Sequence, residues 1–161
     1  RAVAELIEHG LDPMAVTEIG WTPLIIATER GHDTIVLQLL DRGADIEQPC
    51  KNLWTPLCMA ASRGDFHMCK ILLSRGANIA AQAMGGWFPL SLAASNGHDP
   101  AVNLLTLCGA DIRMTNDNGW TPLMAAAANG HSSTALILIH KGSHVEAKSK
   151  NGSTALMCAA D

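Results

Sequence analysis

Residues 20–32 read GWTPLIIATERGH, residues 54–65 read WTPLCMAASRGD and residues 119–131 read GWTPLMAAAANGH. The three stretches share one plan, and that plan decides the fold. Thr22 offers a hydroxyl that can accept a backbone N–H at a helix start. Pro23 suits the first helical turn, where its missing N–H would have no partner in any case. The short run Leu24 to Arg30 follows, and Gly31 ends it, since glycine takes the left-handed conformation at a helix end. His32 and Asp33 open a second helix, whose apolar residues Ile35, Val36, Leu39 and Leu40 share one face. Gly43 closes it. Residues 44–53 are polar and turn-prone, so they are expected to project as a hairpin-like finger.

The plan recurs in steps of 33 residues. Pro23, Pro56, Pro89 and Pro122 form one ladder, and Trp21, Trp54, Trp87 and Trp120 another. Gly31, Gly64, Gly97 and Gly130 form a third, and Gly10, Gly43, Gly76, Gly109 and Gly142 a fourth. All four share one register without an insertion. Neither helix of a unit is long enough to be stable alone. Stacked neighbours bury the common apolar face, which is how repeat arrays become stable. The pairs Ala60-Ala61, Ala93-Ala94 and Ala126-Ala127 let adjacent short helices approach closely.

These segments, each followed by an apolar run and a variant of GAD, resemble ankyrin repeats across essentially the whole chain. The resemblance implies an all-α solenoid of stacked helix-turn-helix units with β-hairpin-like fingers along one edge. The register divides the chain into a partial repeat 1–19, full repeats 20–52, 53–85, 86–118 and 119–151, and a partial repeat 152–161. Residues 2–13 match only the second half of a unit and residues 151–161 only the first half, so the natural protein is expected to continue in both directions.

The sequence also departs from the family pattern. The histidine of the family's T-P-L-H is replaced by Ile25, Cys58, Ser91, Met124 and Met157, so the Thr–His hydrogen bond is absent and lower stability is expected. Phe88 stands where the capping threonine belongs, so that helix is expected to lose its cap at a cost of about 1 kcal/mol. Phe88 then either packs into the core between repeats or forms an exposed apolar contact beside Trp87.

Composition excludes several function classes. With 48% hydrophobic residues the 161-residue chain can build a core, so it is not a disordered segment. A net charge of −4 with scattered basic residues argues against nucleic-acid binding, and no apolar run reaches the length of a bilayer span. Five cysteines without a C-x-x-C argue against a disulfide framework or zinc module and for a reducing compartment, cytoplasmic or nuclear. Cys58, Cys69 and Cys158 fall at core positions, leaving Cys50 and Cys108 as candidate reactive thiols. His32, His98 and His131 follow the helix-ending glycine in register. His140 and His144 are four apart but straddle Gly142, which breaks a helical metal-ligand geometry, and His9 and His67 are isolated. No catalytic motif or phosphate loop is present, so the sequence implies no enzyme, cofactor, metal or small-molecule substrate.

What remains is a recognition surface. Ankyrin repeats usually bind proteins through the finger tips and the exposed face of the first helix. Carried over by register, the tip positions are Glu18, Ile19 and Trp21; Lys51, Asn52 and Trp54; Met84, Gly85 and Trp87; Asp117, Asn118 and Trp120. The helix positions are Glu29 and Arg30; Ser62 and Arg63; Ser95 and Asn96; Ala128 and Asn129. These vary between repeats while the framework stays constant. Tryptophan is enriched at binding hot spots, yet it also braces fingers in this family, so the Trp ladder fits either role. From Ala77 to Ala110 the only charged residue is Asp99, which makes the surface around Met84, Trp87 and Phe88 apolar. The expected function is a non-enzymatic interaction scaffold for a partner protein or peptide. The alternative is a regulatory or targeting segment of a larger kinase, ligase or acyltransferase.

Overall fold

The computed structural model describes residues 12–160. The N-terminal residues assigned to the first partial repeat, with His9 and Gly10, and the final residue Asp161 lie outside this range. Among the described residues the regular structure is all helical. The helices are α1 (Pro23–Glu29), α2 (Asp33–Asp41), α3 (Pro56–Arg63), α4 (Phe66–Ser74), α5 (Pro89–Ser95), α6 (Asp99–Leu107), α7 (Pro122–Ala128), α8 (Ser132–His140) and α9 (Ala155–Ala160). A short 3₁₀ turn occupies Met84–Gly86.

The starts follow from local chemistry. Thr22, Thr55 and Thr121 each accept the N–H of the residue three positions on, at 3.1, 3.3 and 3.2 Å, and proline follows each cap. At α5 the expected loss of the cap is corrected. Phe88 has no oxygen to offer, but Ser91 Oγ accepts the Phe88 N–H at 3.0 Å and its hydroxyl donates to the Phe88 carbonyl at 2.8 Å. This is the reverse half of a capping box. It frees Phe88 to fill the core, where it is only 1% exposed. The exposed alternative for Phe88 is therefore wrong.

The helices form two layers. First helices pack side by side, α1 on α3, α3 on α5, α5 on α7 and α7 on α9. The helices α1, α3, α5 and α7 also pack on the second helix that follows each, and the second helices α2, α4, α6 and α8 form the outer layer. Alanine permits the close approach in the inner layer: Ala60, Ala61, Ala93, Ala94 and Ala126 are fully buried. The core is a register property. Leu24, Leu57, Leu90 and Leu123 are at most 2% exposed, and so are Leu39, Leu72, Leu105 and Leu138 in the outer layer. Four positions of the missing histidines are core as well, since Ile25, Cys58, Ser91 and Met124 are buried, whereas Met157 is exposed.

Polar links tie each unit to the next. Arg63 reaches Glu29 at 3.7 Å, Asn96 Nδ2 donates to Ser62 Oγ at 3.2 Å, and Asn129 Nδ2 donates to Ser95 Oγ at 3.2 Å. The same geometry is thus served first by an ion pair and then by amide–hydroxyl bonds. On the outer layer Arg75 pairs with Asp41 at 2.7 Å, while Ser133 and Thr134 both donate to the Asp99 carboxylate. His98 lies over Gly64, and its Nε2 is 3.0 Å from the Ser62 carbonyl. A Cβ on Gly64 would collide with that ring, and the residue sits at φ +71°, so only glycine serves there.

The connecting fingers contain no strand among the described residues. Each closes on a tight turn instead. The N–H of Cys50 donates to the Trp54 carbonyl at 3.0 Å and that of Leu53 to the Cys50 carbonyl at 2.8 Å. Neighbouring tips are joined by single backbone bonds, such as Met84 N–H to the Asn52 carbonyl at 3.1 Å and Asp117 N–H to the Gly85 carbonyl at 3.0 Å. So few bonds make a bridge rather than a ladder.

Candidate functional site

Each tryptophan immediately precedes a helix cap, which places the Trp column where fingers meet the first-helix layer. The main chain of these residues closes the turns: the carbonyls of Trp21, Trp54, Trp87 and Trp120 accept from Thr17, Cys50, Ala83 and Asn116. The rings divide into different surroundings. Trp54 and Trp87 rest on a small cluster of Cys58, Ala81, Ala83 and Leu92, whereas Trp120 packs against the main core. All four are half-buried, so each ring supports the scaffold and keeps one part toward solvent.

Two adjoining seats open along this column. One, of about 290 Å³, lies between Trp21 and Trp54 and is completed by Cys50, Asn52, Met59 and Ser62. The other, of about 170 Å³, lies between Trp54 and Trp87 and is completed by Met84, Leu92 and Ser95. Trp54 is the wall common to both. Ser62 and Ser95, at the far ends of α3 and α5, form the opposite side, with hydroxyl oxygens that accept Asn96 and Asn129.

The structure thus brings together Trp21, Asn52, Trp54, Ser62, Met84, Trp87 and Ser95 among the residues singled out from sequence. Glu18, Ile19, Lys51, Asp117 and Asn118 are exposed at the tips, and Arg30, Arg63, Asn96 and Asn129 are exposed along the ends of the first helices, with Glu29 half-buried beside them. Trp120, Asp117, Asn118 and Asn129 enter neither seat. Sequence reasoning missed Met59 and Leu92. Their register position gave the only signal, and their apolar character read as core.

The thiols are distributed by burial. No disulfide joins the cysteines among the described residues, and Cys108 is exposed. The expectation of a reactive Cys50 is corrected: it is 6% exposed, at the base of the turn that its N–H closes on the Trp54 carbonyl. Burial pushes the Cys69 thiol up to about 12, with the nearby Asp65 charge adding to the effect, and burial also raises Cys58. Neither is primed as a nucleophile. His140 spends Nδ1 on the Leu136 carbonyl of its own helix at 2.8 Å. Among the described residues no cluster of three or more potential metal ligands exists, and no helix is long and apolar enough to cross a membrane.

Comparison with known proteins adds one match. The sequence profile of the family described as ankyrin repeats (3 copies) matches residues 1–83 and 90–161. No curated protein matches the chain.

Proposed function

Because the chain belongs to the ankyrin repeat family, whose modules generally serve protein–protein interaction and are typically non-enzymatic, we propose that it is a scaffold that binds a partner peptide or protein along its Trp-lined groove. The observation that supports this reading is the pair of apolar seats sharing Trp54. Two neighbouring concavities of side-chain size, with a polar wall opposite, suit side chains presented by another chain. The exposed tip residues Glu18, Ile19, Lys51, Asn52, Asp117 and Asn118 form the rim in this reading, and Glu29, Arg30, Arg63, Asn96 and Asn129 the helix side. The 33-residue units 20–52, 53–85, 86–118 and 119–151 are the recognition modules, flanked by the partial units 1–19 and 152–161. Five cysteines with no disulfide among the described residues favour a reducing compartment, the cytoplasm or nucleus.

The test is affinity capture with the parent chain beside a Trp54→Ala/Trp87→Ala/Trp120→Ala variant, its fold checked by circular dichroism. A protein retained by the parent and lost by the folded variant supports the groove. Equal retention by both moves the site to another face.

A further inference from the structure

The fingertips carry a charge order that is its own complement when reversed. The same backbone bond joins neighbouring tips at every step. The N–H groups of Lys51, Met84, Asp117 and Lys150 donate to the carbonyls of Ile19, Asn52, Gly85 and Asn118, at 3.4, 3.1, 3.0 and 3.0 Å. One bond per 33-residue step strings the tips into a row in chain order, with one step repeated throughout. The donors share one register position, and its first member is Glu18. Along the row this position runs Glu18, Lys51, Met84, Asp117 and Lys150, that is acidic, basic, apolar, acidic, basic. All are exposed, and the charged ones form no ion pair among the described residues.

A second copy laid antiparallel, with a two-fold axis at Met84, meets this order with its opposite. Glu18 faces Lys150, Lys51 faces Asp117, and the symmetry repeats both pairs. Sliding the copy by one finger sets Glu18 against Asp117, or Lys51 against Lys150. A parallel copy in register sets every charge against its own sign. Full antiparallel overlap is the one alignment in which all the charges of each row meet the opposite sign. Like charges brought together are costly, so the order selects the register as well as the partner. Lys148, exposed on the finger of Lys150, strengthens the positive sign that faces Glu18.

The centre of the row is apolar. Met84, at the axis, is 64% exposed, and Leu53 on the adjoining tip is 52% exposed. Leu53 holds a left-handed conformation at φ +60°, where the equivalent residues Gly20, Gly86, Gly119 and Gly152 are glycines. A side chain is strained there, so this tip presents leucine at a cost its neighbours avoid. The two-fold sets Leu53 opposite the finger of Gly119, which has no side chain at that place. An apolar centre rimmed by charged pairs is the anatomy of a protein interface. Fingertips alone fall short of the roughly 20–30 residues a side of a standard interface, so the complex is weak.

We propose that the chain forms a weak antiparallel homodimer through its fingertip row, with the two-fold axis at Met84 and Lys51 of each copy paired with Asp117 of the other. The pairing does not depend on what occupies the groove.

Sedimentation equilibrium of the full chain, from about 1 µM to about 1 mM, reads the mass. The parent rises from one chain toward two. Lys51→Glu and Asp117→Lys each set like charges together at both symmetric places, and each weakens the dimer about tenfold or more. Both residues are exposed, and circular dichroism checks the fold. Two rescues isolate the pairing. Lys51→Glu/Asp117→Lys in one chain restores opposite signs, and so does an equimolar mixture of the two single variants. Both associate more tightly than either single variant alone. Met84→Glu places two carboxylates at the axis and also weakens association. A mass of one chain over the whole range overturns the proposal. So does a dimer that the single variants leave intact, that neither rescue restores, or that is indifferent to Met84→Glu.

Discussion

Ser91 stands where neighbouring repeats carry Ile25, Cys58 and Met124, and its hydroxyl makes the two bonds that hold the start of α5. Ser91→Ala removes both in a buried place, so it is expected to cost about 1–2 kcal/mol in urea denaturation. A loss below the error of that measurement would show that α5 is held by Phe88 packing alone. The thiols give a second test at this scale. Alkylation under native conditions, followed by mass spectrometry, is expected to modify Cys108 first. Cys50, Cys58 and Cys69 should react only on unfolding, because they are buried and the Cys69 thiol lies near 12. Modification of Cys50 as fast as Cys108 would contradict its burial.

At the scale of helices, register predicts energetics. Leu123 in α7 is 2% exposed, while Leu156, the corresponding residue of α9, is 81% exposed. Leu123→Ala is therefore expected to cost about 2–5 kcal/mol, and Leu156→Ala in this chain less than about 0.5 kcal/mol, both measured by denaturation. The helix starts were legible because Thr-Pro and glycine act through their own backbone, within a few residues. The core leucines were legible because spacing alone assigns a face. Phe88 was not, since its fate depended on Ser91, a residue read only as a missing histidine. Cys50, Met59 and Leu92 were not, because a register position tells which face a residue occupies but not what the adjacent finger lays over it. The seats arise between units, and periodicity describes one unit at a time.

For the whole molecule, Asp99 is the clearest electrostatic link between units. Hydrogen bonds from Ser133 and Thr134 hold its carboxyl below the ordinary aspartate range. A depressed pKa contributes stability that is complete above the unfolded value of about 3.9 and is lost as pH falls through the lower folded value. Asp99→Asn is therefore expected to lower stability at neutral pH and to flatten the acid limb of a stability-against-pH curve below about pH 4. Parallel acid limbs in parent and variant would sink this assignment.

The links Glu29–Arg63, Ser62–Asn96 and Ser95–Asn129 each join one unit only to the next. Tension applied to such a chain passes through every junction in series, so the weakest junction yields first while its neighbours stay intact. The junction of units 20–52 and 53–85 carries two ion pairs, Glu29–Arg63 at 3.7 Å and Asp41–Arg75 at 2.7 Å, whereas the next is joined by neutral hydrogen bonds from Asn96 and His98 to Ser62. Added salt screens exposed charges, so it would soften the first junction under load and spare the second.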